Sequence, residues 1–168
     1  MCCLTAIVTG VAQLNGVVYI ACIKPPVIRR FNATTHERLG DIDIKNIKQQ
    51  TDIVVCEKTS RLYFSDDYWF VWRLSPGGTG FGRFVRFRYW PFSLSVRSGR
   101  LLASYPYKLE QIDADGKTLR RVRLFRFTMM PVHAVESPTG TFVVSQSVHI
   151  SEVDTGGTVR TTACREHE

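Results

Sequence analysis

Between residues 62 and 78 apolar and polar positions alternate in two short runs, Leu62-Tyr63-Phe64-Ser65 and Val71-Trp72-Arg73-Leu74. A period of two, with Tyr, Trp and β-branched residues, predicts strands; Asp66-Asp67 between the runs and Pro76-Gly77-Gly78 after them are turn formers. The same hairpin recurs three more times. Its first run reappears as Val17–Ala21, Leu101–Ser104 and Phe142–Ser145, each after a turn: Asn15-Gly16, Ser98-Gly99 and Thr139-Gly140, with Thr59-Ser60 before Leu62. Tyr19, Tyr63, Leu102 and Val143 then align, 44, 39 and 41 residues apart.

A preceding strand is expected around Val11, Ile53–Val55, Phe92–Val96 and His133–Val135. A third follows at Val27–Phe31, Val71–Leu74, Leu109–Asp113 and Ile150–Asp154, closed by turns at Asn32–Thr35, Ser75–Gly78, Asp113–Gly116 and Asp154–Gly157. A fourth is expected at Arg83–Arg88, Leu119–Leu124 and Thr158–Thr161. Four strands about every 40 residues, with turns at matching places, are the pattern of β-propeller blades, which stack and share their apolar faces. A β-sandwich also has closely spaced strands, but nothing makes it repeat its turns at a four-strand interval. The expected fold is all-β and propeller-like, with four consecutive four-stranded antiparallel blades: one domain over 1–168, blades at about 7–46, 51–88, 89–127 and 128–162, a polar tail 163–168, and no helix beyond about two turns. Tyr19, Tyr63, Leu102 and Val143 should be equivalently buried between neighbouring blades.

The run Leu62-Tyr63-Phe64-Ser65-Asp66, then Val71-Trp72-Arg73-Leu74, then Gly77-Gly78, resembles NHL repeats, as does the closing turn Asp113-Ala114-Asp115-Gly116-Lys117. The resemblance covers about residues 7–162. Only the second repeat keeps the strand-ending Asp; the others have Cys22, Tyr105 and Gln146 near that place. It implies the NHL and TolB-like superfamily of six-bladed propellers. Four recognisable blades then imply an incomplete or open ring, with exposed strand edges near 7–11 and 158–162 that favour self-association. In tripartite-motif ubiquitin ligases such propellers recognise substrate; other NHL propellers bind RNA, and some NHL-like ones are lyases or hydrolases. No RING or B-box array of Cys and His is present, so ligase chemistry is not expected in these residues.

The 168 residues carry 44% hydrophobic residues at a mean hydropathy of -0.07, which suits a globular chain. No apolar run reaches the roughly 18 residues of a spanning helix, and Met1 to Val8 lacks the basic start of a secretory signal. Five Cys without a CxxC pair point to reduced thiols, with Cys22 and Cys56 as small buried residues. A cytoplasmic location without a membrane partner is the expectation.

Candidate chemistry is sparse. Among the aligned first strands, Ile53, Phe92 and His133 share a column, and only His133 is a metal-ligand type; no metal, no cofactor and no catalytic residue are expected. No Gly-x-Ser-x-Gly elbow is present, and Gly77-Gly78-Thr79-Gly80 lacks the Lys of a phosphate loop. Asp66-Asp67 suits calcium or acid–base work, but a strand-ending Asp more often accepts hydrogen bonds from loop N–H groups.

The charge of +7 draws attention to two fourth strands in which Arg alternates with apolar residues. They contain Arg83, Arg86 and Arg88, and Arg120, Arg121, Arg123 and Arg126. Alternation would put most of these guanidiniums on one face. They are the candidate binding residues, with Arg86, Arg88, Arg121 and Arg123 expected on one solvent-facing surface. Such a surface would suit single-stranded RNA through phosphate contacts and stacking. Charges on an outer strand also discourage edge-to-edge aggregation, which is the plainer role. The reading favoured by the sequence is a non-catalytic module for protein partners, with substrate recognition in an NHL-type ubiquitin ligase implied by the resemblance. RNA binding and a propeller lyase or hydrolase are the alternatives.

Overall fold

A computed structural model describes residues 6–44, 47, 49–124, 132–146 and 149–164. The described residues form four consecutive four-stranded antiparallel sheets, each a meander in chain order. Blade 1 holds β1 (Val8–Leu14), β2 (Val17–Cys22), β3 (Val27–Asn32) and β4 (Arg38–Asp43). Blade 2 holds β5 (Gln50–Cys56), β6 (Arg61–Asp66), β7 (Phe70–Leu74) and β8 (Gly82–Arg86). Blade 3 holds β9 (Ser93–Arg97), β10 (Arg100–Tyr105), β11 (Lys108–Ile112) and β12 (Thr118–Arg123). Blade 4 holds β13 (His133–Glu136), β14 (Phe142–Gln146), β15 (His149–Val153) and β16 (Val159–Cys164). The helical element among the described residues is one 3-10 turn, Glu57–Thr59. Two compact units divide after Trp90, the first with blades 1 and 2, the second with blades 3 and 4.

The turns follow from the residues that occupy them. Asn15 and Gly16 take φ of 50° and 75°, and Ser98 and Gly99 take 51° and 81°, the left-handed pairs a two-residue hairpin turn requires. At the ends of the third strands, Asn32 Oδ1 accepts from the N–H of Thr34 and Thr35. Asp113 Oδ1 accepts from Asp115 and Lys117, and Asp154 Oδ1 from Gly156 and Thr158, so one short polar side chain closes the same turn in three blades.

Alternate residues of each strand meet the neighbouring sheet. In the first unit Tyr19, Ala21 and Ile28 of blade 1 pack with Ile53, Leu62, Phe64, Trp72 and Leu74 of blade 2 in one buried cluster. The Tyr19 hydroxyl donates to the Pro76 carbonyl at 3.3 Å across that layer. In the second unit Leu102, Leu109 and Val122 of blade 3 pack with Ala134, Phe142, Val144 and Val153 of blade 4. Cys22 and Cys56 are buried free thiols.

Several sequence expectations need correction. The fourth strand expected of a four-stranded blade 1 is present as β4, although no run of alternation marks its place. Gly40 at φ 101° and a register shift beside Arg30 turn Leu39 outward while Ile42 stays buried, so the period of two is broken. The fourth strand of blade 2 ends at Arg86 rather than Arg88, and that of blade 4 runs Val159–Cys164, into the stretch expected as tail. Tyr19, Tyr63 and Leu102 are buried, but Val143 is half-buried, because its side of blade 4 carries no neighbouring sheet within the second unit.

Gly10 of β1 lies close against β5. A Cβ there would lie 2.9 Å from the Ile53 backbone nitrogen and 3.0 Å from its Cγ2. Backbone cannot yield as a flexible side chain can, so Gly10→Ala overpacks the layer and is expected to lower stability by about 1–3 kcal/mol in denaturant unfolding.

Candidate binding surface

Asp66 organises one end of blade 2. Buried at the end of β6, its Oδ1 accepts from the backbone N–H groups of Tyr68 and Phe70, both at 2.9 Å, and its Oδ2 accepts from Trp72 Nε1 at 2.6 Å. The carboxylate thus ties the β6–β7 turn to the strand that follows, the backbone-capping role expected for a strand-ending Asp. Inside the turn Trp69 adopts φ 72°, and its carbonyl accepts from Phe87 N–H at 2.7 Å. That bond holds the exit of β8 beside the turn. Tyr68, Trp69, Tyr89 and Trp90 are all exposed on these two neighbouring segments.

The arginines of β8 lie against rings of the same sheet. β8 pairs with β7 through a register shift that makes Phe84 the extra residue. Arg83 then stands opposite Trp72 and Arg86 opposite Phe70, so both share one face although they lie three positions apart. The Arg83 guanidinium carbon is 4.5 Å from the Phe70 ring centre and 5.4 Å from that of Trp72; Arg86 is 5.7 Å from Phe70. Phe81 stacks on the other partner of Arg83, Trp72, with ring centres 4.9 Å apart. Arg88, beyond the strand, lies 5.7 Å from the Tyr89 ring. All three arginines are exposed, and none of the ion pairs among the described residues uses them. Their charge is held against π faces, not neutralised.

In the second unit the arginines of β12 are arranged differently. Arg121 and Arg123 pair with Glu110 and Lys108 on one face of blade 3, while Arg120 pairs with Gln111 on the other. Arg121 Nε donates to Glu110 Oε1 at 3.1 Å. Glu110 is buried and also accepts from Tyr105 OH at 2.9 Å, Lys108 Nζ at 3.2 Å and Thr118 Oγ1 at 2.6 Å. Burial pushes the Glu110 carboxyl upward, but the hydrogen bonds from Thr118, Tyr105 and Lys108 outweigh it and hold the group below its ordinary range. Burial, then the Glu110 charge and hydrogen bond, push the Tyr105 phenol well above its ordinary value. Arg121 therefore has a structural partner that Arg83, Arg86 and Arg88 lack. Arg126 lies outside the described residues.

His133 is exposed at the start of β13, and no cluster of three or more His, Cys, Asp or Glu suited to a metal ion occurs among the described residues. No helix of the described residues is long and apolar enough to cross a membrane. The four exposed aromatics beside the β8 arginines were not singled out in the sequence. Their signal was the Tyr-Trp pair repeated just after Asp66-Asp67 and just after Arg88.

No protein-family model matches the chain, and no curated protein matches it. Among solved structures it is similar to hydrazine synthase of Kuenenia stuttgartiensis, at 14% identity and a TM-score of 0.76, over 94% of this chain and 49% of that one. The chain thus spans about half the length of that protein. A structure of the nidogen/laminin complex matches at 13% identity and a TM-score of 0.58, over 95% of this chain and 81% of the other. At such identities the likeness is one of fold. With the four meandering sheets, it makes this chain β-propeller-like.

Two outcomes follow from the hydrogen bonds. Asp66→Ala strands three donors, two of them backbone, at a buried position and is expected to cost at least about 2 kcal/mol, with altered Trp fluorescence on the folded baseline. Asp66→Asn keeps one acceptor oxygen and should cost less. For Glu110 the folded-state value is depressed, so its stabilisation is complete above the unfolded value of about 4.3 and is lost as pH falls through the folded value. Unfolding free energies measured from about pH 6 to about pH 3 should decline less in Glu110→Gln than in the parent.

Proposed function

We propose that this chain is a non-catalytic interaction module whose contact surface is the Arg-aromatic end of blade 2. One observation carries the reading: Arg83, Arg86 and Arg88 are exposed and unpaired with any described carboxylate, while Tyr68, Trp69, Tyr89 and Trp90 stand exposed on the adjoining segments. Arginine and large aromatic side chains are the residues that anchor protein interfaces, and rings held by a backbone-capped turn lose little freedom on binding. The partner this surface suits is a protein segment that brings carboxylates to the guanidiniums and apolar side chains to the rings. The Asp66-capped hairpin supports placement among NHL-type, TolB-like propellers, with substrate recognition for a cytoplasmic ubiquitin ligase as the corresponding role.

Single-stranded RNA is the second reading. The same rings favour it, since bases stack on exposed aromatics beside cationic side chains and the chain carries +7. For the lyase or hydrolase alternative no comparable observation is at hand: no group of three or more His, Cys, Asp or Glu suited to a metal ion occurs among the described residues.

The test is affinity capture with the full chain and with a triple variant, Arg83→Ala, Arg86→Ala and Arg88→Ala, followed by identification of bound protein and RNA. A specific partner should be retained by the parent and bind the variant at least about tenfold more weakly, about 1.4 kcal/mol, with the fold intact by circular dichroism. RNA in place of protein, with affinity that falls steeply as salt rises, would select the second reading. Equal retention by both proteins would return these arginines to a solvated edge.

A further inference from the structure

Two guanidiniums stand over one ring of blade 2. The Cζ of Arg83 is 4.5 Å and that of Arg86 5.7 Å from the centre of Phe70, and strand pairing puts both side chains on the face that carries Phe70 and Trp72. A guanidinium over an aromatic ring stacks on it and still donates through the N–H groups at its rim. Both arginines are exposed, and neither enters an ion pair among the described residues. Two forks of donors are thus held close together and open to an acceptor from outside.

The described carboxylates of blades 1 and 2 are engaged or directed elsewhere. Asp66 spends Oδ1 on the Tyr68 and Phe70 N–H groups and Oδ2 on Trp72 Nε1. Asp67 bonds through its N–H to the Gln49 carbonyl on the β5 side, whereas β8 is the opposite edge of the sheet. Asp52 pairs with Ser65, on the other face from Phe64 and Trp72. Blade 1 turns Ile42 into the layer it shares with blade 2, so Asp41 and Asp43 on either side of it face away. Glu37 accepts from Thr35 Oγ1 in the β3–β4 turn, and Glu57 lies at the opposite end of β6 from Asp66.

A pair of this kind calls for one group with more charge and more acceptors than a carboxylate. A phosphate monoester carries about −1.5 to −2 charge at neutral pH and three strong acceptor oxygens, enough for two forks. A carboxylate, with one charge and two oxygens, suits a guanidinium standing alone, as Arg88 does. The neighbouring segment indicates what carries the phosphate. Trp69 is a bulky residue held at φ 72°, and its carbonyl accepts from Phe87 N–H, which sets the β6–β7 turn next to Arg86. Tyr68 is 48% and Trp69 44% exposed on that turn. A phenyl group joining phosphate to backbone has rings to lie against here, and the short arm of phosphoserine has nothing to offer them. Resting on the reading of this surface as one for a protein segment, we infer that the segment carries a phosphorylated tyrosine. Its phosphate is taken by Arg83 and Arg86, and its ring lies against Tyr68 and Trp69.

NMR titration of the isotope-labelled full chain, read at the arginine Nε–H and tryptophan Nε1–H signals, tests this with small compounds. These are N-acetyl-phosphotyrosine amide, its sulfotyrosine and phosphoserine counterparts, and N-acetyl-tyrosine amide. The sulfate ester keeps the shape with a single charge, and phosphoserine keeps the charge without the ring. Phosphotyrosine should bind at least about tenfold more tightly than each of the others. Arg83→Gln and Arg86→Gln should each weaken it at least about tenfold, and Arg86→Lys, which keeps the charge but not the fork, should weaken it as well. Arg97→Gln, on β9, should leave it unchanged. The altered side chains are exposed, and an unchanged backbone amide spectrum shows that the fold survives.

Equal affinity for phosphotyrosine and either its sulfotyrosine or its phosphoserine counterpart would overturn the inference. So would binding that both glutamine variants leave intact, or a single-stranded oligouridylate that binds these arginines more tightly than phosphotyrosine. A chain that captures a protein partner through Arg83, Arg86 and Arg88 yet ignores phosphotyrosine would overturn this inference alone and leave the surface standing. Capture that is indifferent to the triple variant would overturn both.

Discussion

The layer of apolar side chains between paired sheets is the interaction on which the rest of this structure depends. A lone four-stranded meander has two large faces and little interior, so alternate residues must find a second sheet to leave water. In the first unit Tyr19, Ala21 and Ile28 meet Leu62, Phe64 and Trp72, each side chain placed by the period of two. The absence of a Cβ at Gly10 lets β1 come close to Ile53, and the Tyr19 hydroxyl satisfies itself on Pro76 without breaking the layer. At about 25 cal/mol per Å² of apolar area buried, such a layer outweighs any single hydrogen bond in the blade.

The candidate surface is a consequence of that layer. Trp72 belongs to the buried cluster and simultaneously donates to Asp66, so the core fixes the carboxylate that caps the β6–β7 turn. The capped turn holds Tyr68 and Trp69 outward, and the Trp69 carbonyl holds the chain that leaves β8 beside them. Arg83 and Arg86 rest on Phe70 and Trp72, the outward side of the same packing. Binding groups are thereby presented from a framework that is already ordered, which limits the entropy lost on association.

Much of the fold was legible because the turns repeat with the strands. Asn15-Gly16 and Ser98-Gly99 demand left-handed backbone, and Asp113 and Asp154 close equivalent corners, so the spacing of blades could be read without any contact information. What escaped were departures from a strict period of two. The register shift beside Arg30 hid β4, and the one between Val71 and Trp72 put Arg83 and Arg86 on the same face for a reason alternation does not contain. Val143 is less buried than alternation predicts, because strand alternation tells which side a residue faces and not whether a sheet lies there. At the surface, the arginines were visible as a composition, but their partners were not. It is the fold that separates Arg121, tied to Glu110, from Arg83 and Arg86, laid on aromatic rings.

The central claim is that sheets are stable here only as packed pairs. Native-state hydrogen exchange tests it most directly, through the slowest amides of β2 and β3 against those of β6 and β7. If the shared layer holds both sheets, these amides open with one common free energy and respond together when denaturant is added. Amides of blade 1 that open at a substantially lower free energy, while those of blade 2 remain fully protected, would show that each sheet stands by itself and would contradict the account.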